Sequence, residues 1–201
     1  MHEKIGLISG LLVIISIIPY GIGAYRRTIT PNVVSWSIWG IIGLALLLTY
    51  KSSGAKANIW TAVFGFTNPV IIAIIAIWRG KREHPNMMEV VCAIIGIMTL
   101  VGWCFVYDNH KLATYALCLA LVADTFAAVP TVLFVWRTPD GDRPFAWLMF
   151  AFASGLNMFA IEEQTFANYV LPVYMTFASS SIALPLILYR IKERKPILQW
   201  I

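Results

Sequence analysis

Seven apolar runs, each near the length needed to cross a lipid bilayer, constrain this chain more than any other feature. They cover roughly 5–25, 33–50, 58–78, 88–107, 112–136, 145–161 and 168–189, and the loops between them are short. A bilayer core offers no water to peptide groups, so a segment within it must close its own hydrogen bonds as a helix of about 20 residues. Charged residues make up 12% of the chain, whereas a soluble domain carries roughly a quarter. The apolar residues fall in solid blocks rather than in an amphipathic rhythm. These features predict an all-α membrane protein, one transmembrane domain over residues 1–201 with seven spanning helices. The first run has the length of a span and no A-x-A site follows it, so it reads as an uncleaved helix. Cys92, Cys104 and Cys118 lie inside apolar runs without ligand spacing, as small packing residues.

Seven spans put the termini on opposite sides, and basic residues choose the orientation. Eleven Lys and Arg fall on the side of the C-terminus, among them Arg26, Arg27, Arg79, Arg137, Arg143 and Arg190; Lys4, Lys51, Lys56 and Lys111 fall on the other. The bias predicts a cytoplasmic C-terminus and an outer N-terminus. The net charge of +5 follows from these flanking residues, which sit beside anionic headgroups, so no nucleic-acid partner is expected.

Displaced by 111 residues without gaps, the chain matches itself. Pro19 falls on Pro130, Arg26 on Arg137, Trp36 on Trp147, Arg79 on Arg190 and Lys81 on Lys192. The same displacement superposes runs one to three on runs five to seven. The expected organisation is therefore 3+1+3: a first repeat over 1–84, a linker helix in 85–110 and a second repeat over 111–195. An offset of four spans preserves direction, giving a parallel repeat, and binding sites in such proteins lie near the midplane where the repeats meet.

"PYGIGAYRRTITPNVVSW" and "PTVLFVWRTPDGDRPFAW" resemble the two proline-centred segments of the PQ-loop/SWEET superfamily, with Tyr20 and Thr131 where the PQ motif has glutamine. "TPNVVSWSIW", "ADTFAAVPT" and "TFANYVLPVY" are similar to a group of small bacterial membrane proteins. The resemblance covers essentially the whole chain. It implies a heptahelical carrier in the bacterial inner membrane, with membrane lipids and one small polar solute as partners and no cofactor. A homo-oligomer is compatible with it. The resemblance also implies that Asn68 faces the solute, with Ser179 at the equivalent place in the second repeat.

Asp124 is the only acid in the interior of any run. A central Asp costs about 2.5 to 3.5 kcal/mol on insertion, which the Leu, Val and Phe residues of the same run offset. The carboxyl needs a partner or water: either a hydrogen bond to a neighbouring helix, or a site for a substrate, cation or proton. Asp124, Ala128 and Thr131 share one helix face, as do Thr61, Gly65 and Asn68, and Pro172, Thr176 and Ser179. Such small and polar strips suit the walls of a cavity, or interhelical hydrogen bonding. Ser154 and Asn157 form a fourth candidate face. Pro19 and Pro130 interrupt backbone bonding and are candidate hinges or static bends. Trp36 and Trp147 are candidate gate residues, or members of an interfacial aromatic belt. Gly6 and Gly10 make a G-x-x-x-G packing signal.

Enzyme classes find no support. No Ser-His-Asp set, H-E-x-x-H, C-x-x-C or phosphate loop is present, and "TPDGDRP" is turn chemistry without metal-ligand spacing. All lysines lie outside the runs, which excludes a retinal Schiff base. The expectation is thus a small-solute carrier with its site between two three-helix repeats, in which Asp124 couples a proton or holds a cationic group. The alternatives of the same architecture are a receptor or sorting protein and an accessory membrane subunit.

Overall fold

The computed structural model describes residues 1–27, 30–85, 87–196 and 200. Thr28 and Ile29 of the first proline-centred segment, and Asn86 in the linker region, lie outside the described residues. Seven α-helices make up the described chain: α1 His2–Tyr25, α2 Val33–Ser52, α3 Trp60–Arg79, α4 Met87–Val106, α5 His110–Arg137, α6 Pro144–Asn157 and α7 Phe166–Lys192. Short 3-10 turns, Ala57–Ile59 and Met158–Ala160, lead into α3 and out of α6. No strand occurs among the described residues.

Helix starts carry local reasons. Asn32 accepts from the Val34 amide at 3.0 Å, Asn109 from the Lys111 and Leu112 amides, both at 3.1 Å, and Thr165 from the Asn168 amide at 3.3 Å. Each satisfies donors that the first turn leaves open. Pro144 opens α6, where a missing N–H costs nothing. Pro19 and Pro130 both lie inside continuous helices.

Six helices are long and apolar enough to cross a membrane. The sixth apolar run, expected as a span, forms a shorter unit, Pro144–Ala160, whose last turn tightens to 3-10 geometry. The exterior is lined by large apolar side chains such as Ile8, Leu11, Ile94, Phe105 and Leu188. The interior, conversely, holds Ser9, Thr49, Asn58, Asn68, Asp124, Ser154, Asn157, Asn168 and Ser179. An apolar outside around a polar inside suggests a membrane-embedded protein.

In the packing, α3 lies against both α1 and α2, and α7 against both α5 and α6. Across the molecule α1 meets α6 and α2 meets α5, while α4 covers α2 and α5. Lipid is as apolar as leucine, so helix contacts there rest on close approach and polar bonds rather than on expelled water. The contacts are accordingly rich in small residues: Ala45, Ala62, Ala113, Ala120, Ala123, Ala151 and Ala153 are all buried. Gly6 and Gly10 form the tightest seam. A Cβ on Gly6 would sit 1.8 Å from the Ala57 carbonyl oxygen, and one on Gly10 would sit 2.8 Å from Trp60 Cβ and the Phe64 ring.

Candidate functional site

Two adjoining cavities lie between the helix groups α1–α3 and α5–α7. The inner chamber, about 80 Å³, has Asp124 and Ala128 of α5 on one wall and Thr61 and Gly65 of α3 opposite. Ser154 of α6, with Pro172 and Ser179 of α7, completes its polar and small-residue surface. The larger vestibule, about 340 Å³, is bordered by Ser16, Pro19 and Tyr20 of α1, Ser35 and Trp36 of α2, Asn68 of α3, Thr131 of α5 and Asp142 of the α5–α6 loop. Trp39, Gly65, Pro69, Trp147 and Phe150 touch both spaces and form the neck between them. Trp39 meets Trp147 edge-on across the neck, ring centroids 6.3 Å apart and planes at 67°. Trp36 stacks between Trp39 and Tyr20, its centroid 6.3 Å from the former and 5.2 Å from the latter.

Asp124 is buried, and the Tyr174 hydroxyl donates to its Oδ2 at 2.8 Å. Thr125 in turn donates to the Tyr174 oxygen at 3.1 Å. No basic side chain lines the inner chamber, so its one formal charge is negative. Ser154 Oγ and Asn68 Oδ1 are buried without a hydrogen-bond partner, although Asn68 Nδ2 donates to the Val13 carbonyl at 2.8 Å. Buried polar atoms are nearly always satisfied, so both mark places where something polar is accommodated.

The end beyond the inner chamber is closed by hydrogen bonds. Asn157 is fully buried at the end of α6 and joins three elements. Its Nδ2 donates to the Asn58 carbonyl at 2.9 Å and to Thr61 Oγ1 at 2.7 Å, and its Oδ1 accepts from Ser9 Oγ at 3.1 Å. Asn58 Nδ2 donates to Tyr50 Oη, whose hydroxyl donates to the Asn168 carbonyl at 2.8 Å. Lys56 pairs with Glu163 on the surface above, and Asn168 Nδ2 donates to the Glu163 carbonyl at 2.9 Å. The hydrogen bond and charge of Lys56 hold the Glu163 carboxyl below its ordinary range, and Glu163 holds the Lys56 ammonium above its own.

The open end is organised differently. Burial pushes the Asp142 carboxyl up, against opposing help from the Trp147 indole N–H at 3.0 Å, the Arg143 amide and the Arg190 charge. Arg190 is buried, and its guanidinium donates to the Leu186, Pro139 and Asp142 carbonyls at 3.2, 3.1 and 2.6 Å. It therefore clasps the α5–α6 loop, a task beyond the headgroup contact that its place in a basic run suggests. Arg79, at the end of α3, lies 4.9 Å over the Tyr25 ring.

Of the residues singled out from the sequence, Asp124 and Ser179 line the inner chamber, and Asn68, Thr131, Pro19 and Trp36 the vestibule. Trp147 belongs to both. Asn157 sits in the seal instead of a cavity wall. Thr176 bonds back to the Pro172 carbonyl at 2.7 Å and lies beside Gly155 at the α6–α7 contact, lining neither space. Pro130 is exposed on the outer face of α5, unlike half-buried Pro19. Sequence reasoning missed Tyr50, Asn58, Asn168 and Tyr174, because a polar residue near a helix end or a tyrosine in an apolar run gives no distinguishing signal. Among the described residues no cluster of His, Cys, Asp and Glu fits a metal ion. No family model, curated protein or solved structure matches this chain.

Proposed function

We propose that the chain is a small-solute carrier of PQ-loop/SWEET-like architecture, with the solute held between two three-helix repeats. The observation that carries this reading is a small, mostly apolar chamber holding one acid, with a larger vestibule adjoining it on one side and a hydrogen-bonded end on the other. A carrier alternates between two such arrangements around a fixed site.

Several features support the repeat. The contacts of α3 with α1 and α2 correspond to those of α7 with α5 and α6, and the α1–α6 contact corresponds to α5–α2. Trp36 and Trp147, and likewise Trp39 and Phe150, stand 111 residues apart, and all four line the adjoining cavities. At the same displacement Val13 corresponds to Asp124, so only one repeat brings a charge to the chamber. The vestibule opens beside the helix ends that carry Arg26, Arg27, Arg137 and Arg143, the cytoplasmic face by the distribution of basic residues. In this reading the membrane is a bacterial inner membrane, the N-terminus is outside, and the arrangement is open inward.

Counterflow in proteoliposomes loaded in turn with labelled sugars, amino acids, nucleosides and amines tests the proposal, with and without an imposed proton gradient. At least one class is expected to exchange with wild-type protein and to stop with Asp124→Asn. Binding of a solute without exchange of any class would make the chain a receptor of this architecture and overturn the carrier reading.

A further inference from the structure

The chemistry of the path narrows the solute class. We infer that it accepts small primary amines in their ammonium form, without a carboxylate of their own; this rests on the carrier reading. Asp124 supplies the only formal charge of the inner chamber, and no Lys, Arg or His lines that space. Among the described residues three buried side-chain atoms lack a partner: Asn168 Oδ1 in the bonded end, and, bordering the cavities, Ser154 at the inner chamber and Asn68 at the vestibule, through Oγ and Oδ1, with Ser154 1% and Asn68 6% exposed. Asn68 Oδ1 and the Asp124 carboxylate can only accept, and Ser154 Oγ can accept as readily as donate. A ligand that satisfies all three is rich in donors and positively charged.

The remaining walls explain why an organic cation fits better than a metal ion. Trp39, Phe66, Trp147 and Phe150 border the chamber with aromatic rings. Ring faces attract an organic ammonium that has shed its water. They cannot replace the six or more oxygens that a hard cation demands. Asp142, Asn68 and the cationic Arg143 border the vestibule, then comes the aromatic neck, then Asp124 and Ser154, so the cation stands outside the inner chamber. A zwitterionic amino acid would carry its carboxylate into a chamber that offers no cation to meet it. A carboxylate buried without a counter-charge is costly, and an arriving ammonium converts that cost into a desolvated ion pair.

Calorimetric titration of the full chain in nanodiscs tests this with charge-matched pairs: ethanolamine against ethylene glycol, n-butylammonium against n-butanol, with alanine and glucose as the zwitterionic and neutral probes. The ammonium member of each pair is expected to bind at least about tenfold more tightly than its neutral partner. Asp124→Asn should remove that advantage, and Ser154→Ala should weaken ammonium binding about three- to tenfold. Should Asp124→Asn fail to fold, the wild-type pairs and Ser154→Ala decide. Equal binding within the pairs, an undiminished Asp124→Asn, or no ammonium binding at all would overturn the inference. Counterflow separates it from the carrier reading. Ammonium that binds but is not exchanged leaves the inference standing and removes the carrier; glucose exchange indifferent to Asp124→Asn does the reverse.

Discussion

Asp124 and Tyr174 form the most consequential pair of side chains in the molecule. The tyrosine hydroxyl fixes one carboxyl oxygen at 2.8 Å, which orients the group toward the chamber and offsets part of its desolvation. Tyr174→Phe deletes only that hydroxyl, and Thr125 keeps its bond to the Leu121 carbonyl at 2.7 Å. It should lower stability by about 1–2 kcal/mol, read from reversible unfolding in mixed micelles. Asp142 supplies a pH test at the other end of the path. Its folded-state acidity is weakened by burial, so the charged form costs stability at neutral pH, and that cost fades as pH falls toward the ordinary carboxylate range. Lowering pH from neutral should therefore stabilise the wild type relative to Asp142→Asn, whose side chain never ionises; parallel thermal melts at two pH values read the difference. Legibility at this scale was uneven. A lone acid in an apolar run announces itself, because nothing but function or a specific bond justifies its cost. Tyr174 carries no such signal, since tyrosine is equally at home in lipid-facing and buried positions. Arg190 was hidden by company: in "RIKERK" one buried guanidinium looks like its solvated neighbours.

Among the elements, glycine positions separate tight helix contacts from open ones. On α1, Gly6→Ala would press a methyl into the Ala57 carbonyl and should disrupt the packing of α1 on the turn before α3. On α4, Gly102 has nothing within 4 Å of an added Cβ, so Gly102→Ala should stabilise by up to about 1 kcal/mol through helix propensity alone. Opposite signs for the two substitutions in one unfolding assay check the seam. Helix α4 packs chiefly on α2 and α5 and shows much of its surface outward. The helix runs were legible because lipid demands contiguous apolar residues. The shortness of α6 was less so: its run continues to residue 161, yet Asn157 is drawn into bonds with α3 and α1, and the chain tightens into a 3-10 turn there.

For the whole molecule, the contrast between its two ends is the feature from which motion can be argued. At one end five polar side chains, Ser9, Tyr50, Asn58, Thr61 and Asn157, knit α1, α2, α3 and α6 together, and Tyr50 also reaches α7. At the other, aromatic rings meet across a neck without such bonds among the interactions described above. Asn157→Ala should destabilise the closed arrangement by about 2–4 kcal/mol, because it removes three buried bonds. It should also raise labelling of an Ala62→Cys reporter on the inner-chamber wall from the N-terminal side, in a background lacking the three native cysteines. In the parent protein the same reporter should be reached only through the vestibule. The surface pair Lys56–Glu163 is highly exposed and contributes little beside these bonds.

A closure built from amides and hydroxyls behaves unlike one built from leucines. Grease can part into a dry gap and rejoin; these groups, once separated, demand replacement donors and acceptors at once, and only solvent can supply them all together. In the proposed carrier, passage through that end would therefore begin with flooding, and lowered water activity should arrest the proposed cycle before the solute leaves its seat.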